Sequence, residues 1–235
     1  MNVAWGRHDA VRVASHAQNF LRKADESRLM APKILPRFCR LVLRCLTLGL
    51  VLARPVCGQN NGPVAQSRNW DFGIWVAGAT GEENTNSFAE AQTLTTAIFV
   101  GKVFTGEIGE GWRRGRFEYG IDVIPLFRQF RPHSVYGGGL EPVILRWNSS
   151  LHTQQFAPYI ELAGGALRTN VNFPAGDTSN FNFSVRGGGG LRIFTTPSQS
   201  IEMGCRWSHI SNANLGNRNP EFNGVQVSVE YHWFR

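Results

Sequence analysis

The stretch "RFEYGIDV", Arg116 to Val123, decides the fold. Phe117, Tyr119, Ile121 and Val123 alternate with Arg116, Glu118, Gly120 and Asp122. A strict period of two is a β-strand with one apolar and one polar face, since successive side chains leave a strand on opposite sides. "VQVSVEYHWF" near the C-terminus repeats it, setting Val225, Val227, Val229, Tyr231 and Trp233 against Gln226, Ser228, Glu230 and His232. Working outward, Trp70–Ala79, Leu94–Phe104, Val143–Trp147, Phe156–Leu167, Phe181–Phe194 and Ser200–His209 carry the same pattern, which predicts eight strands. Turn-rich stretches separate them: "TGEENTNS", "GEIGEG", "YGGGLEP", "NSSLHTQQ", "NFPAGDTSN" and "TTPSQ". From Asn69 onward no segment has the 3.6-residue period of an amphipathic helix; "SFAEAQTL" offers one turn at most before the β-rich run after it. "GGGGLRIF" (Gly187–Phe194) is not a phosphate loop, because no Lys-Ser or Lys-Thr follows the glycines. Small residues in a narrow barrel or at a bend explain it better.

Charge divides the chain unevenly. Met1 to Arg54 holds ten basic and three acidic residues, whereas Pro55 to Arg235 holds fourteen of each. The net charge of +7 therefore belongs to the N-terminal segment. The strand-rich region is neutral overall and gives no basic stripe for nucleic acid.

The segment beginning at Met30 has the order of a secretory signal. Lys33, Arg37, Arg40 and Arg44 make a basic region, and Leu46 to Ala53 is an apolar run too short to span a membrane as a helix. Val56 and Gly58 suit the small-residue cleavage positions, with Gln59 as the first mature residue. A signal over 30–58 makes 1–29 an upstream extension, 59–68 a short linker and 69–235 the folded domain. Arg54-Pro55-Val56 before Cys57 is wrong for a lipoprotein cysteine. Cys39, Cys45 and Cys57 leave with the signal, so Cys205 remains and no disulfide framework is expected.

Eight antiparallel strands with no covering helix suggest an up-and-down barrel, which removes exposed sheet edges by closing. A soluble barrel puts its apolar faces inside, and an outer-membrane barrel puts them outside. The polar faces here carry both signs of charge (Arg116, Glu118, Asp122, Glu202, Arg206, Glu230), suited to pairing in a lumen just wide enough for side chains. The apolar faces are rich in Phe, Trp and Tyr, as at membrane interfaces, and Phe234 lies next to the chain's end. The expected fold is all-β, an eight-stranded antiparallel transmembrane barrel of outer-membrane type.

One polar cluster falls on the apolar face. Ile201, Met203, Cys205 and Trp207 share a face, and the same parity places His209 and Ser211 with them. Two strand residues advance about 6.6 Å, close enough for an imidazole to reach a hydroxyl on its own face. A base-activated serine nucleophile needs that contact. Asn212 follows with a side-chain amide suited to an oxyanion, and the turn adds backbone N–H groups. A polar strand end with an Asn-rich turn explains the same residues without chemistry.

The run His209-Ile210-Ser211-Asn212-Ala213-Asn214-Leu215 on a penultimate strand, followed by "NPEFNGVQVSVEYHWF", resembles the signature of the lipid A 3-O-deacylase family of outer-membrane enzymes. The resemblance is specific over about the last thirty residues; before them it rests on strand count and the aromatic-glycine pattern. It implies a metal-free serine esterase with no cofactor, acting on an ester in the outer leaflet. Ser211 would be the nucleophile, His209 the general base, and Asn212 with the backbone of Ala213 and Asn214 the oxyanion hole. The family's glutamate just after the loop glycine is missing, because Val225 and Gln226 follow Gly224. Glu221 is the nearest acid and the first choice for the third catalytic residue; Asn223 has the right parity without a charge, and Gln226 has lumen parity. Expected partners are lipid A or lipopolysaccharide, with a second copy of the chain as a further candidate. A non-catalytic eight-stranded outer-membrane barrel, structural or adhesive, is the alternative, and an acyltransferase on the same lipids a weaker third. His133, His152 and His232 are scattered, without a second ligand at metal spacing.

Overall fold

The computed structural model describes residues 69–81, 91–131, 133–150, 156–174 and 178–235. The expected signal segment, upstream extension and 59–68 linker lie outside the described residues. Eight strands follow one another: β1 (Trp70–Gly81), β2 (Gln92–Val103), β3 (Gly115–Arg131), β4 (Val135–Ser149), β5 (Phe156–Thr169), β6 (Phe181–Thr196), β7 (Gln199–Ser211) and β8 (Phe222–Phe234). Each pairs antiparallel with the next and β8 closes on β1, giving a closed barrel with no free edge. Strands of 12 to 17 residues exceed the roughly 9–11 needed to cross a bilayer at a tilt.

Burial settles which face is which. Ile160 is 63% exposed and Leu162 57%, while Glu118 and Glu202 on the opposite faces are fully buried. The apolar faces therefore form the outer wall. Aliphatic residues such as Ile74, Ile98, Leu145 and Val229 occupy its middle, and aromatic residues collect toward its ends. Trp70, Phe104, Phe117 and Trp112 sit at the end where β1 starts and β8 finishes, and Phe130, Tyr136, Phe181 and Phe183 toward the other. An apolar band between aromatic girdles belongs to a barrel whose solvent is lipid.

The lumen is filled by ions and aromatic rings. Arg146 donates to Glu161 at 2.8 Å and to Glu202 at 3.0 Å; Arg192 reaches Asp71 at 2.9 Å; Arg186 reaches Glu141 at 2.7 Å. Arg206 joins Glu161 and Glu230, and Arg186 joins Asp122. The Arg146 guanidinium also lies 4.4 Å from the ring centre of Tyr159 and 5.1 Å from that of Phe99. Toward the opposite end, where β8 begins, the filling turns apolar, with Phe173 between Phe127 and Phe222. One cavity of about 30 Å³, lined in part by Trp75, Thr95, Arg186 and Gln226, has room for a water or two.

Two strands differ from their sequence reading. β3 runs on past Val123 through Pro125 to Arg131, with the register shifting between Ile124 and Phe127. That bulge absorbs the proline and moves the outward set to Arg128 and Phe130. "YGGGLEP", expected as a turn, lies inside β4. Its glycines answer a packing need: a Cβ on Gly139 would stand 2.3 Å from the Ala166 carbonyl oxygen, and one on Gly137 2.4 Å from that of Arg168.

Candidate functional site

The site lies where β7 ends and β8 begins, at the end of the barrel remote from the start of β1 and the finish of β8. Odd-numbered residues of β7 and β8 face outward, so His209, Ser211 and Asn223 share the outer wall, while Arg206, Ser208, Gln226 and Ser228 are buried in the lumen. His209 and Asn223 are direct partners across the β7–β8 ladder. Ser211 is opposite Phe183 on β6, and His209 opposite Val185.

Nε2 of His209 is 3.0 Å from Oγ of Ser211, and Nδ1 is 2.8 Å from Oδ1 of Asn223. Nδ2 of Asn223 in turn donates to Oε2 of Glu221 at 3.1 Å. Hydroxyl, imidazole, amide and carboxylate thus form one hydrogen-bonded chain. The Trp207 ring stacks on His209 at 5.6 Å between centres, 19° apart, and limits tilting of the imidazole. Asn223 points outward yet is only 7% exposed, so its bond to His209 is shielded.

The structure rearranges two expectations. Glu221, the first choice to touch His209, touches Asn223 instead; the amide stands between the two because Asn223, not Glu221, shares a rung with His209. Gln226 is buried in the lumen opposite Arg206, as its parity required. Asn212, expected to offer its amide to an oxyanion, is wholly buried. Its Nδ2 donates to the Arg218 carbonyl at 2.8 Å, its Oδ1 accepts from the Asn214 N–H at 2.9 Å, and its own N–H donates to Asn219 Oδ1 at 2.9 Å. Asn212 therefore clamps the β7–β8 loop from within. Arg218 and Asn219 enter that clamp, and no periodicity signals them, because loop contacts follow no period.

A tight turn carries the chain away from Ser211. Leu215 N–H donates to the Asn212 carbonyl at 3.0 Å, with Ala213 at φ 50° and Asn214 at φ 63° between them. Asparagine tolerates the left-handed region; alanine there costs about 1–2 kcal/mol. The bonds of this loop engage the N–H of Asn212, Asn214 and Leu215. Among the described residues they leave the N–H of Ala213, one of the expected oxyanion donors, outside the loop's own network.

Around Ser211 the wall is apolar and open. Phe181, Phe183, Val185, Trp207 and Leu215 are all exposed large apolar residues, with Phe181 and Phe183 packed edge to face at 5.5 Å. The only trio of metal-ligating side chains among the described residues, Asp71, Glu202 and His232, is buried in the lumen. Both of its carboxylates already bind Arg192, and His232 Nδ1 lies 2.7 Å from Asp71. A cation there would meet an arginine already in place, far from Ser211 in the register.

Comparison with known proteins bears on this arrangement. No curated protein matches the chain. The crystal structure of the outer membrane enzyme PagL is similar at 17% identity and TM-score 0.47, covering 69% of this chain and 98% of that one. Neisserial surface protein A is similar at 14% identity and TM-score 0.51, over 71% of this chain and 97% of that one. The outer membrane protein OprG from Pseudomonas aeruginosa is similar at 10% identity and TM-score 0.41, over 72% and 98%. The likeness to the Neisserial protein shows the fold, a closed antiparallel barrel of outer-membrane type. The family model for lipid A 3-O-deacylase (PagL) matches residues 65–232, which takes in β1 to β7, β8 as far as His232 and the whole of the β7–β8 site. The chain belongs to the lipid A 3-O-deacylase (PagL) family.

Proposed function

We propose that this barrel is a serine esterase of the outer membrane that removes the ester-linked acyl chain at the 3-O position of lipid A. The observation that carries the reading is the contact between His209 Nε2 and Ser211 Oγ on the lipid-facing wall, in a chain of the deacylase family. Ser211 Oγ adds to the ester carbonyl carbon as His209 Nε2 takes its proton. The tetrahedral adduct collapses, the bond between the carbonyl carbon and the sugar oxygen breaks, and that oxygen takes the proton from His209. Water repeats the sequence on the acyl-serine and releases the fatty acid. The Ala213 N–H, which the loop's own bonds leave unengaged, is the donor this reading assigns to the oxyanion, and the turn holds its backbone.

The surroundings fit an acyl substrate. Phe183, Val185 and Trp207 offer an apolar bed beside the nucleophile, continuous with the lipid around the barrel. An even number of strands puts the start of β1 and the end of β8 on one side, where the β6–β7 connection is a two-residue turn. Short turns mark the periplasmic end of such barrels. Ser211, at the opposite end, then meets the outer leaflet, where lipid A resides. Export through a cleaved signal over 30–58 accords with that destination.

The test is direct. Purified barrel in detergent is incubated with lipid A, and released hydroxy fatty acid is measured by mass spectrometry. Loss of one ester-linked chain by the wild type and none by Ser211→Ala is expected. No release by the wild type, or equal release by Ser211→Ala, overturns the reading.

A further inference from the structure

We infer that Asn223 and Glu221 act together as a positioning relay that sets the tautomer of His209, in the place where a carboxylate would otherwise contact the imidazole. The kinetic part of this inference rests on the esterase reading; the part concerning the tautomer does not.

The direction of every bond in the chain follows from its far end. An ionised carboxylate only accepts hydrogen bonds. Because Glu221 Oε2 lies 3.1 Å from one terminal atom of the Asn223 amide, that atom is the NH₂ nitrogen, and the carbonyl oxygen Oδ1 turns toward His209. An amide carbonyl likewise only accepts, so His209 Nδ1, 2.8 Å away, carries the ring proton. A neutral imidazole has one such proton. Nε2 is then an acceptor, 3.0 Å from the Ser211 hydroxyl, which is the state a general base requires. Reversing the amide would set its oxygen against the Glu221 carboxylate and its NH₂ against Nδ1. The proton would move to Nε2, where it blocks uptake of the serine proton. Glu221 thus acts on His209 without touching it.

The backbone supports this arrangement. His209 and Asn223 occupy one rung of the ladder, so their separation is fixed by the sheet. Trp207 covers the imidazole face, and Asn223 is nearly closed to solvent. Glu221 sits immediately before β8, at the one point where the loop can bring a charge up behind the amide.

The experiment uses the full barrel in detergent with ¹⁵N-labelled histidine, at a pH where the His209 ring is neutral; its signals are assigned by their absence in His209→Ala. The wild type should show the Nδ1–H tautomer. Glu221→Gln places beside Asn223 a group that donates as well as accepts, which frees the amide to turn. Mixed tautomers should appear, and turnover of lipid A should fall by about ten- to a hundredfold, the usual range for groups that orient a functional histidine from behind. KM should change little, because on this proposal Glu221 acts through Asn223 and His209 and not on the substrate. Adding Asn223→Asp to Glu221→Gln gives Nδ1 an acceptor whichever way the side chain turns, and should restore both the Nδ1–H tautomer and turnover. An Nε2–H tautomer in the wild type overturns the relay, as does Glu221→Gln with unchanged tautomer and turnover. The esterase reading survives either result provided the wild type releases acyl chain and Ser211→Ala does not. A wild type inactive on lipid A defeats the esterase reading, and the NMR arm still decides the relay.

Discussion

His209 and Asn223 stand opposite each other on one rung between β7 and β8, joined at 2.8 Å on the outer wall. That pairing depends on the length of the intervening loop. A slip of one residue would bring Phe222 or Gly224 to the rung and turn Asn223 into the lumen, because strand side chains alternate. Loop length therefore acts as a structural determinant of the site.

Ser211→Ala and His209→Ala should each abolish deacylation and leave the barrel folded, since both side chains lie on the outer wall and fill no core. The double variant should be little worse than either single one, because nucleophile and base act as a unit. Initial rates on lipid A, with circular dichroism as the folding control, check this. Additive losses would argue that the two residues act separately.

Asn212→Ala removes the partner of the Arg218 carbonyl and of the Asn214 N–H. Both partners belong to exposed loop residues that water can reach, so the cost is that of an ordinary hydrogen bond, about 0.5–1.5 kcal/mol. The loop should loosen, and hydrogen exchange at Asn214 and Leu215 should accelerate as turnover falls. Unaltered exchange with a loss of roughly a hundredfold in turnover would instead make Asn212 itself an oxyanion donor.

Arg206→Leu should destabilise the barrel strongly. Arg206 binds Glu161 and Glu230 and donates to Ser228 Oγ at 2.6 Å, all inside the lumen. Removing one partner of a buried ion network strands the others, at about 3–5 kcal/mol. The shift of a urea unfolding midpoint in detergent measures it; a change below about 1 kcal/mol would mean that water replaces the arginine.

Val229→Arg tests the polarity of the wall. Val229 is outward, 49% exposed, and near the middle of β8. An arginine there should cost about 2–4 kcal/mol if it lies at the bilayer midplane. Refolding equilibria in lipid vesicles give the value. A neutral result beside a severe one for Glu230→Leu would reverse inside and outside.

The strands were legible in the sequence because two solvents, lipid outside and paired ions inside, impose a two-residue period. Arg116–Val123 and Val225–Trp233 carry it without a break, and both lie wholly within strands of the structure. The glycines of Tyr136–Pro142 misled, since a glycine demanded by a neighbouring backbone looks in sequence like one demanded by a turn. His209 and Ser211 were legible for the same reason as the strands: parity alone puts them on one face. Asn223 and Glu221 were distinguishable only in part. Parity identified Asn223 as outward, but which of the two meets the imidazole depends on cross-strand register, and a loop of irregular conformation sets that. Asn212 shows the same limit, because the donors and acceptors that claim its amide lie in a loop without periodicity.

The filled lumen and the outward serine together change what concentration means for this molecule. If Ser211 is the nucleophile of a lipid esterase, its substrate is already dissolved among lipids, and encounters occur in a sheet. The governing quantity is the fraction of neighbouring amphiphiles that are substrate, rather than moles per litre of water. Adding detergent at constant total lipid A spreads the substrate over more micelles, so an esterase built this way slows without any inhibitor being present. On that reading a compound that competes for Ser211 is an amphiphile, and its potency is to be judged by how it partitions before how it binds.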